Sequence, residues 1–181
     1  MRMNRMMAAM MQRTDLTRLS EPDIPLPFRD VAGRGWTVGS DGAVLLTELT
    51  EGTVGSFFDV VQEETSVNGR GMTDYDLPES GQSREEQLLR RCLAYSFACL
   101  ESAADQFGKN SVCAYISLSM GGLDDDFLTA NVTFSSHHPG LPPYVEDIES
   151  YSREALLEIQ RGDYSASTGA DGPWPVEVRQ K

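Results

Sequence analysis

Three groups of residues in the second half of the chain have types and spacing suited to chemistry. Ser119 lies in the run Ser-Leu-Ser-Met-Gly-Gly and could act as a nucleophile if a base lay beside it. His137 and His138 are the only histidines, and an imidazole can serve as such a base or bind a metal ion. The run 124–126 is acidic, and its oxygens could bind a cation. Each group depends on the elements that position it.

The sequence around Ser119 resembles the nucleophile elbow of the α/β-hydrolases, whose pattern is G-x-S-x-G. Ser117 stands in place of the first glycine, and the Leu-Asp-Asp-Asp that follows the elbow does not open an amphipathic helix. The resemblance implies parallel strands with crossover helices, whereas the strands predicted here are antiparallel. A small hydrolase that uses Ser119 is therefore kept only as an alternative.

The histidines and aspartates do not form a recognisable metal site. Neighbouring residues of a strand point to opposite faces, so His137 and His138 could not easily bind one metal ion and are predicted to be an exposed pair. The run 124–126 lacks the alternating oxygen ligands and central glycine of an EF-hand loop, which predicts a solvated turn. We therefore predict neither a metal nor a cofactor.

The charge of the chain is strongly negative. Fifteen basic residues stand against 28 acidic residues, which gives a formal net charge of −13. Such a charge repels nucleic acids and anionic membranes, and it favours a basic protein partner or simple solubility. No run approaches the ~20 apolar residues of a membrane-spanning helix.

The cysteines are predicted to be reduced. Cys92 and Cys99 are seven positions apart on one helix, roughly 10 Å along its axis, which is too far for a disulfide. Together with Cys113 they are typical of small apolar core residues in a reducing compartment. The expected location is the cytoplasm.

The best-defined element is a long helix over 83–107. Apolar residues recur at intervals of three and four, which forms one buried face. Ser83 and Glu86 have the spacing of a capping box, and Gly108 is suited to ending the helix. The apolar face consists of Leu89, Cys92, Leu93, Ser96, Leu100, Ala103 and Phe107.

The remaining elements predict an α+β fold with an antiparallel sheet of about five strands. Two alternating runs, 112–120 and 128–135, predict an antiparallel pair. Asp41-Gly42 predicts a hairpin turn within 36–49. The run 56–64 is read as a further strand from its residue types, although its apolar spacing also suits a helix. The run 144–161 predicts a C-terminal helix that packs against the sheet beside the long helix.

These elements predict four segments along the chain. Residues 1–19 form an N-terminal helix or arm, in which Met3, Met6, Met7, Met10 and Met11 share one face that could dock on this domain or on another chain. Residues 20–34, with prolines within 20–28, are predicted to be a linker, because that stretch should lack regular structure. Residues 35–162 form the α+β domain, and 163–181 form a flexible tail. The stretch 68–82 is a long loop.

The element order over residues 1–161, together with the acidity, resembles the CesT-like secretion chaperones and the related YbjN-like domains. That resemblance implies a dimer in which helices cover one side of an antiparallel sheet. It also implies a non-enzymatic function, in which an unfolded segment of a partner protein is held along the surface, and such a chaperone needs an apolar groove.

A second hypothesis is an immunity or antitoxin-type inhibitor, whose acidic surface covers the basic site of a toxin. Such a surface needs aromatic anchors, for which Tyr75, Tyr144 and Trp174 are candidates. Loops carry function more often than core faces, so the acids of the long loop and of the turn are the predicted partner contacts. These contacts are Asp74, Asp76, Glu79, Asp124, Asp125 and Asp126.

Overall fold

The computed structural model describes residues 1–16, 19–51, 55–121, 127–166 and 175–178. Its helices are α1 Arg5–Arg13, α2 Leu26–Arg34, α3 Val60–Val67 and α4 Gln82–Phe107. Its strands are β1 Arg2–Met3, β2 Trp36–Val38, β3 Val44–Leu46, β4 Arg70–Gly71, β5 Val112–Met120, β6 Leu128–Ser136, β7 Glu154–Gln160, β8 Tyr164–Ala166 and β9 Pro175–Val178. The predicted α+β class, with a five-stranded antiparallel sheet and a long helix, is confirmed.

The five-stranded sheet has the order β1-β7-β5-β6-β4, with β5 at its centre. The β5–β6 register runs from Val112 opposite Ser136 to Met120 opposite Leu128, which confirms the predicted antiparallel pair. Alternate side chains of the three long strands point to an inner face, and the others point to an outer face. Helix α4 covers the inner face over β5 and β6, and α1 covers it over β7. The buried side chains of the inner face are Val112, Ala114, Ile116, Leu118, Ala130, Val132, Phe134, Ala155, Leu157 and Ile159.

Helix α4 is confirmed, and its apolar residues lie in the main core. It begins after Gly81 without a side-chain cap, so the capping box predicted for Ser83 and Glu86 is not formed. Its end is as predicted, because Gly108 adopts a φ of +94° that favours glycine. Within the described residues, no helix combines the length and the apolar composition that crossing a bilayer requires.

The hairpin β2–β3 is confirmed, but the strand predicted for 56–64 is a helix. Asp59 caps α3 by accepting a hydrogen bond from the backbone N–H of Gln62. One side of α3 packs on the hairpin, where Val67 contacts Ala43 and Leu45. Helical spacing therefore decides which residues of this stretch are buried, although their types favour a strand.

The C-terminal helix predicted for 144–161 is wrong. This stretch contains a short 3-10 turn, Ile148–Ser150, followed by β7. Strand β7 pairs with β5 from Cys113 opposite Gln160 to Ser119 opposite Glu154. The free edge of β5 needs a partner for its backbone groups, and this tertiary pairing outweighs the helical spacing of the apolar residues.

The N-terminal residues are part of the folded unit. Strand β1 pairs with β7, Asn4 caps α1, and the buried side chains of α1 are Met7, Met10 and Met11. The predicted linker 20–34 instead contains α2, whose Phe28 packs edge-on against the Tyr95 ring of α4 at 4.9 Å. Pro27 is tolerated because the N–H groups of the first helical turn have no intrahelical partners.

The tail predicted to be flexible contains β8 and β9, which pair with each other. Trp174, a predicted anchor, lies outside the described residues. Tyr164 of β8 is buried, and its ring centroid lies 4.3 Å from that of Phe97 of α4. The chain therefore remains attached to the core at least as far as this strand.

We expect the three cysteine thiols to be unreactive in the folded protein. All are unpaired and buried, as predicted. Burial raises the pKa of the Cys92 and Cys99 thiols, and mainly burial raises that of Cys113. Because the thiolate is the reactive form, a colorimetric thiol titration at pH ~8 should detect almost no reaction before denaturant is added. Rapid labelling of the native protein would contradict this buried arrangement.

Candidate functional site

The acids predicted on the long loop lie beside arginines of α4. Asp74 forms an ion pair with Arg84, and Asp76 forms a two-bond ion pair with Arg91 at 2.8 and 2.5 Å. The hydrogen bonds from Arg91 lower the pKa of the Asp76 carboxyl. Glu79 is exposed. Within this loop, only Glu79 presents a carboxylate that is not engaged by these two arginines.

The same two arginines fix the backbone of the loop. Arg84 is fully buried and donates to the carbonyl oxygens of Leu128 and Pro78 at 2.9 and 3.0 Å. Arg91 donates to the carbonyl of Thr73 at 2.7 Å. A loop that the sequence predicts to be functional or mobile is therefore attached to α4 over 73–78.

The predicted contacts Asp124, Asp125 and Asp126 lie outside the described residues. The residues on either side of the turn are described, and the backbone N–H of Gly121 donates to the carbonyl of Phe127 at 3.0 Å. This bond continues the β5–β6 ladder by one step. The described part of this hairpin therefore extends as far as Gly121 and Phe127.

The histidines are not the exposed pair that the sequence predicts. His137 is exposed, but Nε2 of His138 lies 3.0 Å from a carboxylate oxygen of Glu64, which is completely buried. Glu64 also accepts hydrogen bonds from Val44 N, Ser135 Oγ, Ser136 N and Ser136 Oγ. These bonds connect α3 to β3 and to the end of β6, so the cluster is suited to holding the fold together.

Ser119 has no histidine beside it. It pairs with Thr129 near one end of β5, whereas Ser136, which precedes the histidines, pairs with Val112 at the other end. Seven residues of strand separate the two positions, roughly 23 Å. The structure therefore does not bring Ser119 together with the base that a hydrolase needs.

A groove rich in methionine lies at the turn end of the sheet. We name it the methionine groove; its cavity has a volume of about 460 Å³. It lies between α1, the start of α4 and the ends of β5, β6 and β7. Its lining residues are Met6, Met10, Arg13, Ser80, Gly81, Gln82, Glu85, Leu118, Met120, Leu128, Arg153 and Ala155.

The apolar surface of this groove is open to solvent. Met6 on α1 is 46% exposed and Met120 at the end of β5 is 55% exposed. Met10, Leu118 and Ala155 are buried beneath them. At the rim, Arg13 forms an ion pair with Glu85 at 2.6 Å, so these two charges offset each other.

The sequence predicted only one wall of this groove. The methionine periodicity of 1–13 indicated an apolar face that could dock on another surface, and Met6 is the member that remains exposed. The alternation of 112–120 places Met120 on the same face as the apolar residues of β5. Met120 is the last residue of β5 and is exposed there, because the helices do not cover the sheet at that end. Hydrophobic periodicity shows which face of a strand is apolar, but not where along the strand the covering helix ends.

No family model, curated protein or solved structure matches the chain. The resemblance to CesT-like chaperones and YbjN-like domains, with the dimer that it implies, therefore stays a prediction. Among the residues that the structure describes, no group of three or more His, Cys, Asp and Glu side chains is placed to hold a metal ion.

Proposed function

We propose that the protein binds an apolar segment of a partner protein in the methionine groove, as an adaptor or chaperone does. The observation that supports this proposal is the exposure of Met6 and Met120 on two walls of one groove. Large apolar side chains that share a concave surface mark interaction sites more often than scattered exposed residues do. Methionine is flexible and polarisable, so such a groove accommodates different apolar side chains.

The negative charge of the chain indicates which charge the bound segment should carry. The net charge of −13 favours a basic segment, and exposed Glu79 directly precedes Ser80 in the groove lining. In the groove lining, Arg13 is offset by Glu85, so exposed Arg153 is the one lining charge that opposes the negative charge of the chain. We therefore propose that the bound segment carries lysine or arginine beside its apolar residues.

The inhibitor hypothesis has less support. An inhibitor of a basic site needs carboxylates that are free to pair with the partner's cations. Asp74 and Asp76 are already paired with Arg84 and Arg91 of the same chain. Moving Asp74 to a partner's cation would leave the buried guanidinium of Arg84 without its carboxylate, which costs free energy.

Selection from a random peptide display library tests the proposal. We expect the wild-type protein to enrich peptides with two or more large apolar residues and neighbouring lysine or arginine. Met6→Asp combined with Met120→Asp should weaken binding of the selected peptides by roughly tenfold or more, because covering the exposed half of each methionine contributes on the order of 0.7 kcal/mol, about 1.4 kcal/mol for the two together.

Leu26→Asp is the matched control, because Leu26 is 73% exposed on α2 and does not line the groove. It should leave peptide affinity unchanged. Raising the salt concentration to ~0.5 M should weaken binding only partly, since screening removes the charge contribution and not the apolar one. Enriched peptides that bind the double variant as tightly as the wild type would contradict the proposal.

A further inference from the structure

A second cavity lies on the outer face of the sheet, away from the methionine groove. Its volume is about 350 Å³, and we name it the tyrosine cleft. Its floor is formed by outward-facing residues of β5, β6 and β7, and the segment after β6 forms one wall. Its lining includes Tyr115, Ser117, Tyr144, Tyr151 and Glu154.

Three tyrosines and one carboxylate line this cleft. The rings of Tyr115 and Tyr144 meet edge-on, with centroids 5.0 Å apart and planes at 78°. Burial raises the pKa of the Tyr144 hydroxyl, and Tyr151 and Glu154 raise it further, which places both groups near Tyr144. Ser117 donates a hydrogen bond to the Glu154 carboxylate from the neighbouring strand. The cleft therefore combines aromatic surfaces with a negative charge.

Hydrogen bonds and apolar packing around the cleft fix the positions of these groups. Asn4 is buried, and its amide donates to the carbonyl oxygens of Tyr151 and Glu154 at 3.0 and 2.7 Å. Val145 and Ile148 pack with Tyr115 in a small apolar cluster beneath the wall. The cleft is therefore held open by packing and hydrogen bonds, as a preformed binding site requires.

Two arginines lie beside this cleft: the charge of Arg2 acts on Tyr115 and is offset by Glu158, and Arg70 points away from the cleft. Arg70 borders it, but its guanidinium lies over the Phe28 ring of α2, 5.7 Å from the ring centroid. Arg70 pairs with Val132, whose side chain belongs to the inner core, so both point away from the cleft. Arg2 pairs with Glu158 at 3.0 Å and donates to the carbonyls of Val145 and Glu146.

We propose that the tyrosine cleft binds an ammonium group that carries alkyl substituents, with tyrosine rings around the cation and the Glu154 carboxylate beside it. Aromatic faces attract cations through the ring quadrupole, and desolvation strengthens this attraction. The net charge of −13 raises the local concentration of such cations. The ammonium group is either that of a small organic cation or that of a lysine side chain. This site does not depend on the methionine groove.

Amide NMR titration with tetramethylammonium, and with neopentyl alcohol as a neutral, water-soluble compound of similar shape, tests the proposal. We expect the cation to shift the amide signals of β5, the start of β7 and the segment around Tyr144, and the neutral compound to leave them unchanged. Tyr144→Leu and Glu154→Gln should each weaken cation binding by about fivefold. The matched controls Tyr75→Leu and Glu79→Gln, on the exposed loop, should have no effect.

A lysine-containing tripeptide identifies the source of the cation. If the tripeptide binds more tightly than tetramethylammonium, the ligand is a protein side chain; if it binds more weakly, the ligand is a small organic cation, and both results support the site. Equal shifts with the neutral compound would overturn the proposal, because they would show an apolar cavity without charge selectivity. Absence of any shift at high millimolar cation in the folded wild type would also overturn it.

Discussion

Glu64→Gln should destabilise the protein by about 1–3 kcal/mol, although it changes a single heavy atom. One carboxylate oxygen accepts from the backbone N–H of Val44 at 2.8 Å, and the other accepts from that of Ser136 at 2.7 Å. Neither backbone donor can reorient. Whichever way a glutamine amide is turned, its NH₂ group faces one of these N–H groups and leaves it without an acceptor.

Glu64→Ala should cost more, about 3 kcal/mol or greater, because it removes the acceptor for both backbone donors and for the two serine hydroxyls and His138. Urea unfolding followed by circular dichroism measures both losses. Glu79→Gln is the control and should change stability by less than about 0.5 kcal/mol, since Glu79 is exposed. If Glu64→Gln were as stable as the wild type, the buried cluster would not have the hydrogen bonds described.

Arg84→Met should destabilise the protein by roughly 2–3 kcal/mol and release the loop 73–79. The guanidinium is fully buried, pairs with Asp74, donates to two carbonyl oxygens and lies 3.9 Å from the centroid of the Phe127 ring. Methionine keeps much of the volume but provides no donor. Lysine should not rescue stability, because one ammonium cannot reproduce the planar set of guanidinium donors.

Hydrogen exchange localises the second effect. Amides of the loop should exchange faster in Arg84→Met, while those of β5 change no more than the global stability loss requires. Gln87→Met is the matched control on the same helix, and it should change stability by less than about 0.5 kcal/mol, since the Gln87 amide donates to Ser83 Oγ within α4 and not to the loop. Unchanged loop exchange in Arg84→Met would show that other contacts hold the loop.

The sequence alone predicted those elements in which the spacing of apolar residues matches the face that is buried in the structure. Helix α4 has one continuous apolar stripe, and β5 and β6 alternate cleanly, so periodicity alone placed them and their antiparallel pairing. Gly108 likewise marked the end of α4, because a positive φ is required there. These elements form the main part of the sheet and the layer that covers it.

The elements that were wrongly predicted depend on partners distant in the chain. Strand β7 is rich in residues that also suit a helix, and the free edge of β5 decides the outcome. Helix α3 is fixed by Glu64, whose partners lie on β3 and at the end of β6. Composition identified the acids of the long loop but not their pairing with α4, since the ion pairs form between positions 10 and 15 residues apart.

Site-specific photo-crosslinking in cells of the native host tests the central claim most directly. A photoreactive amino acid placed at position 6 or at position 120 should yield adducts with the same partner, and the crosslinked peptide of that partner should contain apolar residues next to lysine or arginine. The same amino acid at position 26, which is more exposed than either methionine, should yield no such adduct. Equal adducts from all three positions, or adducts only from position 26, would contradict binding in the methionine groove.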